Sequence, residues 1–330
     1  MSKITILGTG SWGSAIGDSL AINGNEVKMW QRDSLKANSM SIERKHPFIA
    51  DFSFSKNIEF SSKLRPSISG AHIIVIAVPS HSVRELMSKS AKYISNDAII
   101  VNISKGLEVD SLLTMSSVIS QEIEGKNTFI VSLYGPSHAE EVCKKIPTTL
   151  VAASKDEDAS KLVQKIFSSN VLRVYTNSDI LGVELGGSLK NVIAIAAGIC
   201  DGIGFGDNTK AAILTRGIAE ITRLGVAMGA NEKTFAGLSG IGDLFVTCSS
   251  KHSRNRFVGE EIGKGRKINK ILNNMNMVAE GVKTTKAVFR LCKIHNVEMP
   301  ISNTVYDILY QEKDPKESVI QLMNRDLVSE

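Results

Sequence analysis

A chain of 330 residues, 42% hydrophobic and 22% charged, is too apolar for a disordered protein and long enough for two domains of roughly 100–200 residues each. Its formal net charge of +5 comes from lysines and arginines scattered along the chain, which speaks against a nucleic-acid surface and suits an anionic small substrate. The four cysteines, Cys143, Cys200, Cys248 and Cys292, lack paired or zinc-type spacing, and Cys248 with His252 has no companion ligands, so reduced thiols and no metal are expected.

A strand-like run, Ile4-Thr5-Ile6-Leu7, follows directly on Met1-Ser2-Lys3, so no targeting segment is expected. The longest apolar stretches, residues 73–78 and 192–200, fall short of the ~18 residues of a membrane span. A cytoplasmic protein without membrane insertion is therefore expected. Further strands are predicted over residues 26–30, 73–78, 98–103, 128–133, 149–153 and 171–175. Several are apolar throughout, as parallel strands are when helices cover both faces. Helical segments intervene, among them 82–92 and 156–167, the latter opening on acidic residues that favour a helix N-terminus. This alternation predicts an α/β fold with an N-terminal Rossmann-type, doubly wound parallel sheet.

Beyond residue 179 the texture becomes helical, with predicted helices over 180–199, 208–228, 254–264, 281–295, 302–310 and 315–325. Pro315 stands near the start of the last, where its missing N–H does no harm. The expected division is therefore a dinucleotide-binding domain over 1–178 and an all-helical domain over 179–330.

The first strand runs straight into Gly8-Thr9-Gly10-Ser11-Trp12-Gly13, and a helix follows. Strand, G-x-G-x-x-G and helix in this order form the dinucleotide fingerprint. Gly8 makes the tight turn, Gly10 lets backbone approach a pyrophosphate, and Gly13 allows close helix–strand packing. The N–H groups of Ser11 and Trp12 would face the pyrophosphate at the helix's positive end. After the second strand, an acid binds the adenosine ribose, whereas an arginine accommodates a 2′-phosphate. Gln31-Arg32-Asp33 offers both; Arg32 comes first, so NADP(H) is expected to be preferred, with NAD(H) possible. On position alone Arg32 also reads as a solvated loop cation.

Four clusters then carry candidate chemistry. Lys105 ends Asn102-Ile103-Ser104-Lys105-Gly106 at the carboxyl end of a strand, where open α/β sheets bind ligands. Gly135-Pro136-Ser137-His138-Ala139 follows another strand. Lys190 sits among Leu185, Leu189, Val192, Ile193 and Ile195 in a helix apolar nearly all round, so its amine must be partnered or change its protonation. So placed it either serves as general base and acid toward a secondary alcohol and its ketone, or snorkels to a helix edge. Gly240-Ile241-Gly242-Asp243-Leu244 precedes Ser253-Arg254-Asn255-Arg256, which opens a helix. Arg254 and Asn255 there read as a phosphate cradle or as a cap with an exposed arginine.

Together these motifs resemble the bacterial NAD(P)-dependent glycerol-3-phosphate dehydrogenases over nearly the whole chain, from Gly8 to Val278-Ala279-Glu280-Gly281. The resemblance implies a Rossmann domain joined to a helical domain of the 6-phosphogluconate dehydrogenase type. It implies reversible hydride transfer between the nicotinamide and dihydroxyacetone phosphate, giving sn-glycerol 3-phosphate for phospholipid synthesis. Lys190 matches the family's proton acceptor, assisted by Lys105 and Asp243. Lys105, Gly135, Ser137, Lys190, Asp243, Ser253, Arg254 and Asn255 match substrate-contacting positions, and Gly8, Gly10, Ser11, Trp12, Gly13, Arg32, Lys105, Ala139, Arg254, Val278 and Glu280 cofactor-contacting ones. His138 stands where the family often has an aromatic. A homodimer is also implied. The alternatives are a 3-hydroxyacid or 6-phosphogluconate-type dehydrogenase, and a non-catalytic NAD(P)-binding sensor, which would have no reason to keep Lys105, Lys190, Asp243 and Arg254 together.

Overall fold

A computed structural model describes residues 1–275 and 278–326. The chain divides into two compact units, Met1–Lys105 with Leu113–Glu184, and Gly106–Leu112 with the chain from Leu185 onward.

The first unit is built on eight strands: β1 (Lys3–Leu7), β2 (Glu26–Trp30), β3 (Ile58–Ser61), β4 (Ile73–Ile76), β5 (Ile99–Asn102), β6 (Phe129–Tyr134), β7 (Thr148–Ala153) and β8 (Leu172–Asn177). Their order is β3-β2-β1-β4-β5-β6-β7-β8, parallel throughout except for β6 against β7. Ile73 and Val75 pack into one core cluster with Ile4, Ile6 and Leu20, while Ile74 and Ile76 pack into another with Val83, Met87 and Val118. Alternate residues of one strand thus feed two cores, which is why β4 reads as uninterrupted hydrocarbon. The order reverses beside β1, whose neighbours are β2 and β4, so the turn at Gly8 opens at the sheet's switch point.

The layout departs from expectation in three places. The strand β3 was not predicted: it is an edge strand with Glu59 exposed, and an edge half covered by protein shows little apolar signal. The strand β7 runs antiparallel to β6, because the intervening segment holds only the five-residue helix Ala139–Cys143 and turns back at Lys145 with φ 59°, too little for a parallel crossover. The division between units also differs from a break at residue 178. Residues 106–112 go with the second unit, and the main-chain transition at Glu184–Leu185 lies inside a continuous helix, Ile180–Ile203.

The second unit contains that helix from Leu185 on, with Asp207–Ala227, Glu232–Phe235, Asp243–Ser249, Arg254–Gly263, Ile268–Asn273, Glu280–Ile294, Pro300–Tyr310 and Pro315–Met323. Ile180–Ile203 is long and apolar enough to cross a membrane by length and composition, a feature missed when only unbroken apolar runs are counted, but 89% of its most apolar window is buried by protein. Its glycines allow close packing: a Cβ on Gly198 would fall 2.0 Å from the Arg256 carbonyl oxygen, and one on Gly259 2.0 Å from that of Ile195. The helices touch backbone to backbone there.

Candidate active site

The glycine turn after β1 is shaped by contact on two sides and openness on the third. Gly8 has φ 117°, and an added Cβ would lie 2.5 Å from the Ala77 carbonyl oxygen. A Cβ on Gly13 would meet the Gly8 carbonyl oxygen at 2.6 Å. Gly10, by contrast, has ordinary backbone angles, φ −66° and ψ 168°, and no described atom within 4 Å of an added Cβ. The helix Ser11–Ile22 that follows has no capping side chain and no acidic residue in its first turn, so its positive end retains its capacity for an anion. Trp12 packs with Ala15, Ala139 and Val142, and its buried indole Nε1 has no hydrogen-bond partner among the described residues. An open glycine cradle, a helix N-terminus and an unanswered buried donor fit a pyrophosphate-bearing dinucleotide.

Thr9 is held from both sides. Its hydroxyl accepts from Gln31 Nε2 at 2.6 Å, and its carbonyl contacts His46 Nε2 at 3.1 Å. His46 Nδ1 accepts from the Phe48 N–H at 3.1 Å, so the ring is the tautomer that donates from Nε2 to Thr9. Burial pushes the His46 pKa down from its ordinary 6.5, and the Thr9 carbonyl and Glu140 pull it partly back. Asp33, one of the two cofactor-sensing candidates, caps the helix Ser34–Glu43 by accepting from the N–H groups of Leu35 at 2.9 Å and Lys36 at 3.2 Å. Arg32 beside it is exposed.

At the carboxyl ends of β5 and β6 the structure brings Lys105, Gly135 and Ser137 together. Lys105 Nζ donates to the Gly135 carbonyl at 2.9 Å and lies 5.7 Å from the Tyr134 ring centre; Ser137 Oγ donates to the same carbonyl at 3.1 Å. Gly135 has φ 145°, and an added Cβ would lie 2.9 Å from the Thr149 carbonyl oxygen, so the turn requires glycine.

In the helical unit Lys190 is 5% exposed and Asp243 1%. Of the outcomes open to a lysine in hydrocarbon, the structure shows the partnered one: Nζ donates to the Asp243 carboxylate and, at 2.7 Å, to Thr247 Oγ1. Thr247 escaped sequence reading, although its place one helical turn after Asp243 is a usable signal. Cys248, next in the same helix, has its thiol pushed up to about 12 by burial, which removes it as a nucleophile at neutral pH.

A second group gathers around the helix Arg254–Gly263. Ser253 caps it by accepting from the Arg256 N–H at 3.2 Å. Arg254, exposed in the first turn, donates to the Val278 carbonyl at 3.0 Å. Asn255 is buried: its Nδ2 donates to Asn191 Oδ1 and its Oδ1 accepts from the Gly281 N–H, each at 2.9 Å. These bonds join Arg254, Asn255, Val278 and the start of the helix Glu280–Ile294 to the residue after Lys190. Asn191 and Gly281 stand in motifs that the sequence displays, but neither was assigned a role from the sequence. No cluster of three or more potential metal ligands occurs among the described residues.

A doubly wound sheet with its glycine turn at the switch point, in one chain with a helical unit that buries a lysine against a carboxylate, defines an NAD(P)-dependent oxidoreductase. The sequence profile for the N-terminus of NAD-dependent glycerol-3-phosphate dehydrogenase matches residues 3–160, and that for its C-terminus residues 179–320. The chain belongs to that family. It is 48% identical over 324 residues to the glycerol-3-phosphate dehydrogenase [NAD(P)+] of Thermoanaerobacter sp. (strain X514), covering 98% of this chain and 97% of that one. It is 50% identical to the protein of the same name from Prosthecochloris aestuarii, over 98% of both. The crystal structure of glycerol-3-phosphate dehydrogenase from Coxiella burnetii superposes with a TM-score of 0.94 at 34% identity, over 98% of this chain and 99% of that one.

Proposed function

We propose that the chain interconverts dihydroxyacetone phosphate and sn-glycerol 3-phosphate, with NADPH preferred and NADH accepted. The observation that carries this reading is the buried amine of Lys190, answered by the Asp243 carboxylate and the Thr247 hydroxyl. When bound, the nicotinamide ring supplies or accepts the hydride. The chain's residues do the rest. Lys190 holds a proton at Nζ for the carbonyl oxygen of the ketone, or takes one from the alcohol, and Asp243 and Thr247 fix the direction in which that amine points. Arg254, with Ser253 and Asn255 at the same helix N-terminus, takes the phosphate, for which a guanidinium fork and helix N–H groups are suited. Lys105, Gly135 and Ser137 are further substrate contacts. Gly8, Gly10, Ser11, Trp12 and Gly13 hold the pyrophosphate, and Ala139, Lys105, Arg254, Val278 and Glu280 complete the dinucleotide contacts.

The preference for NADPH is supported by the separate tasks of three consecutive residues. Gln31 is tied to Thr9 and Asp33 caps a helix, which leaves Arg32, exposed, for a 2′-phosphate. A cytoplasmic homodimer feeding phospholipid synthesis completes the proposal; exposed Val226, Phe245 and Phe257 on the helical unit support contact with a second copy. The test is NADPH oxidation by the purified protein with dihydroxyacetone phosphate, unphosphorylated dihydroxyacetone, 3-oxoacids and the oxidised form of 6-phosphogluconate. Turnover should require dihydroxyacetone phosphate. Faster turnover of another ketone, or cofactor binding with no turnover at all, overturns the reading.

A further inference from the structure

Glu184 has no solvent exposure, and the roles assigned above do not use it. It lies in the second turn of the helix Ile180–Ile203. Its Oε1 accepts from Asn102 Nδ2 at 3.1 Å, the Ser116 N–H at 2.9 Å and Ser132 Oγ at 2.8 Å, and its Oε2 from Ser116 Oγ at 2.5 Å. Burial pushes its carboxyl pKa up, and hydroxyls of Ser116, Thr114 and Ser132 pull it back. Taking a carboxylate wholly out of water costs several kcal/mol, and an apolar side chain at such a position is often at least as stable. Stability alone therefore gives no reason for this residue. The reason lies in what its bonds hold. Asn102 ends β5, Ser132 and Tyr134 lie in the last half of β6, and Thr114 precedes the helix Met115–Glu122, so one carboxylate gathers three elements where an open sheet takes its ligands.

We infer that Glu184 is a positioning residue which, through Asn102 and Tyr134, clamps the main chain at Ser104 and thereby places the Lys105 ammonium on the Gly135 carbonyl. Asn102 Oδ1 accepts from the Ser104 N–H at 3.0 Å. The Tyr134 hydroxyl, which takes a bond from Asn102 Nδ2 at 3.0 Å, donates to the Ser104 carbonyl at 2.5 Å. Ser104 is held at both its N–H and its C=O, and Lys105 is the next residue. Tyr134 in turn adjoins Gly135, so one clamp sets both the root of the lysine and the carbonyl that its Nζ meets at 2.9 Å. Satisfied throughout, a buried network of this kind fixes one geometry.

The inference rests on the reading of Lys105 as a substrate-contacting residue, and the experiment separates the two. Glu184→Leu should lower kcat/KM for dihydroxyacetone phosphate ~100-fold, the pattern of a misplaced reacting geometry. Glu184→Gln should stay within ~3-fold of wild type, since its carbonyl can serve the donors on Oε1 and its amide can donate to rotatable hydroxyls. In a Lys105→Ala background, Glu184→Leu should cost no more than a further ~3-fold, as residues acting as a unit do. A ~100-fold loss that persists in that background overturns the inference. Should Glu184→Leu fail to fold, Tyr134→Phe removes one hydroxyl only; it should lose ~10-fold in kcat/KM, and no loss overturns the inference. Acylation of the Lys105 amine, followed by peptide mass spectrometry, needs no substrate: its rate should rise ~5-fold or more in Glu184→Leu and Tyr134→Phe but not in Glu184→Gln. Unchanged labelling in the first two overturns the positioning role. Absence of wild-type turnover with dihydroxyacetone phosphate would overturn the substrate reading alone.

Discussion

The Thr247 hydroxyl accepts from Lys190 Nζ at 2.7 Å and donates to the Asp243 main-chain carbonyl at 2.6 Å, so its own proton points away from the amine. The hydroxyl therefore presents a lone pair to Lys190 and helps to aim it. Lys190→Ala should lower kcat by ~100-fold to ~10,000-fold and leave the Kd for NADPH within ~2-fold, because only proton transfer is lost. Stopped-flow turnover and cofactor fluorescence titration measure the two quantities; near-normal turnover would remove the lysine from the chemistry.

The same pair predicts a stability pattern. Removing Asp243 leaves the buried Lys190 ammonium without the carboxylate that balances its charge, so Asp243→Leu should destabilise the protein by ~3–5 kcal/mol in urea unfolding. Lys190→Met combined with Asp243→Leu should recover most of that loss, since an apolar pair of similar volume replaces a buried ionic one. Both variants should be inactive. A double variant less stable than Asp243→Leu alone would contradict the account.

The glycines of the dinucleotide turn should separate binding from folding. Gly10 has ordinary backbone angles and open space before it, so Gly10→Ala should keep stability within ~0.5 kcal/mol while weakening NADPH ~10–100-fold. A Cβ on Gly13 would press on the Gly8 carbonyl oxygen at 2.6 Å, so Gly13→Ala should lose ~1–3 kcal/mol of stability. Equal effects of the two on melting temperature would show that the open cradle is not where the cofactor sits.

Arg32→Gln tests cofactor choice. Loss of a guanidinium–phosphate contact should weaken NADPH ~10–100-fold and leave NADH within ~2-fold. Equal weakening of both would move the selectivity elsewhere.

His46 makes the glycine turn sensitive to acid. Its folded pKa lies below its ordinary 6.5, so between the two values the unfolded chain binds more protons than the folded one. The stability linked to it is present above 6.5 and is lost as pH falls through the folded pKa. Protonation also removes the Nδ1 acceptor from the Phe48 N–H, which loosens the ring that holds Thr9. NADPH affinity and melting temperature should both fall on acidification below 6.5, and the fall should be smaller in His46→Gln, which can donate to Thr9 but does not titrate. Identical pH profiles for the two proteins would remove His46 as the cause.

What could be read from the sequence was what is local in the chain. The Gly8–Gly13 turn announces itself because a strand, a left-handed glycine and a helix must follow one another within a few residues, whatever else surrounds them. β4 is legible because a strand covered on both faces is hydrocarbon at every position, and β5 because hydrocarbon fills it up to Asn102. The burial of Lys190 was legible for the same reason: its helix neighbours are apolar all round. Tertiary structure alone decided which groups answer it. Asp243 lies 53 positions away, as Glu184 lies 82 from Asn102 and His46 lies 37 from Thr9. Nor did the residues themselves announce that Asp33 caps a helix, that β7 runs backwards, or that residues 106–112 join the helical unit. Apolar periodicity records that a side chain is withdrawn from water. A hydrogen bond between distant residues depends on which elements pack together, and no short window of sequence contains that choice.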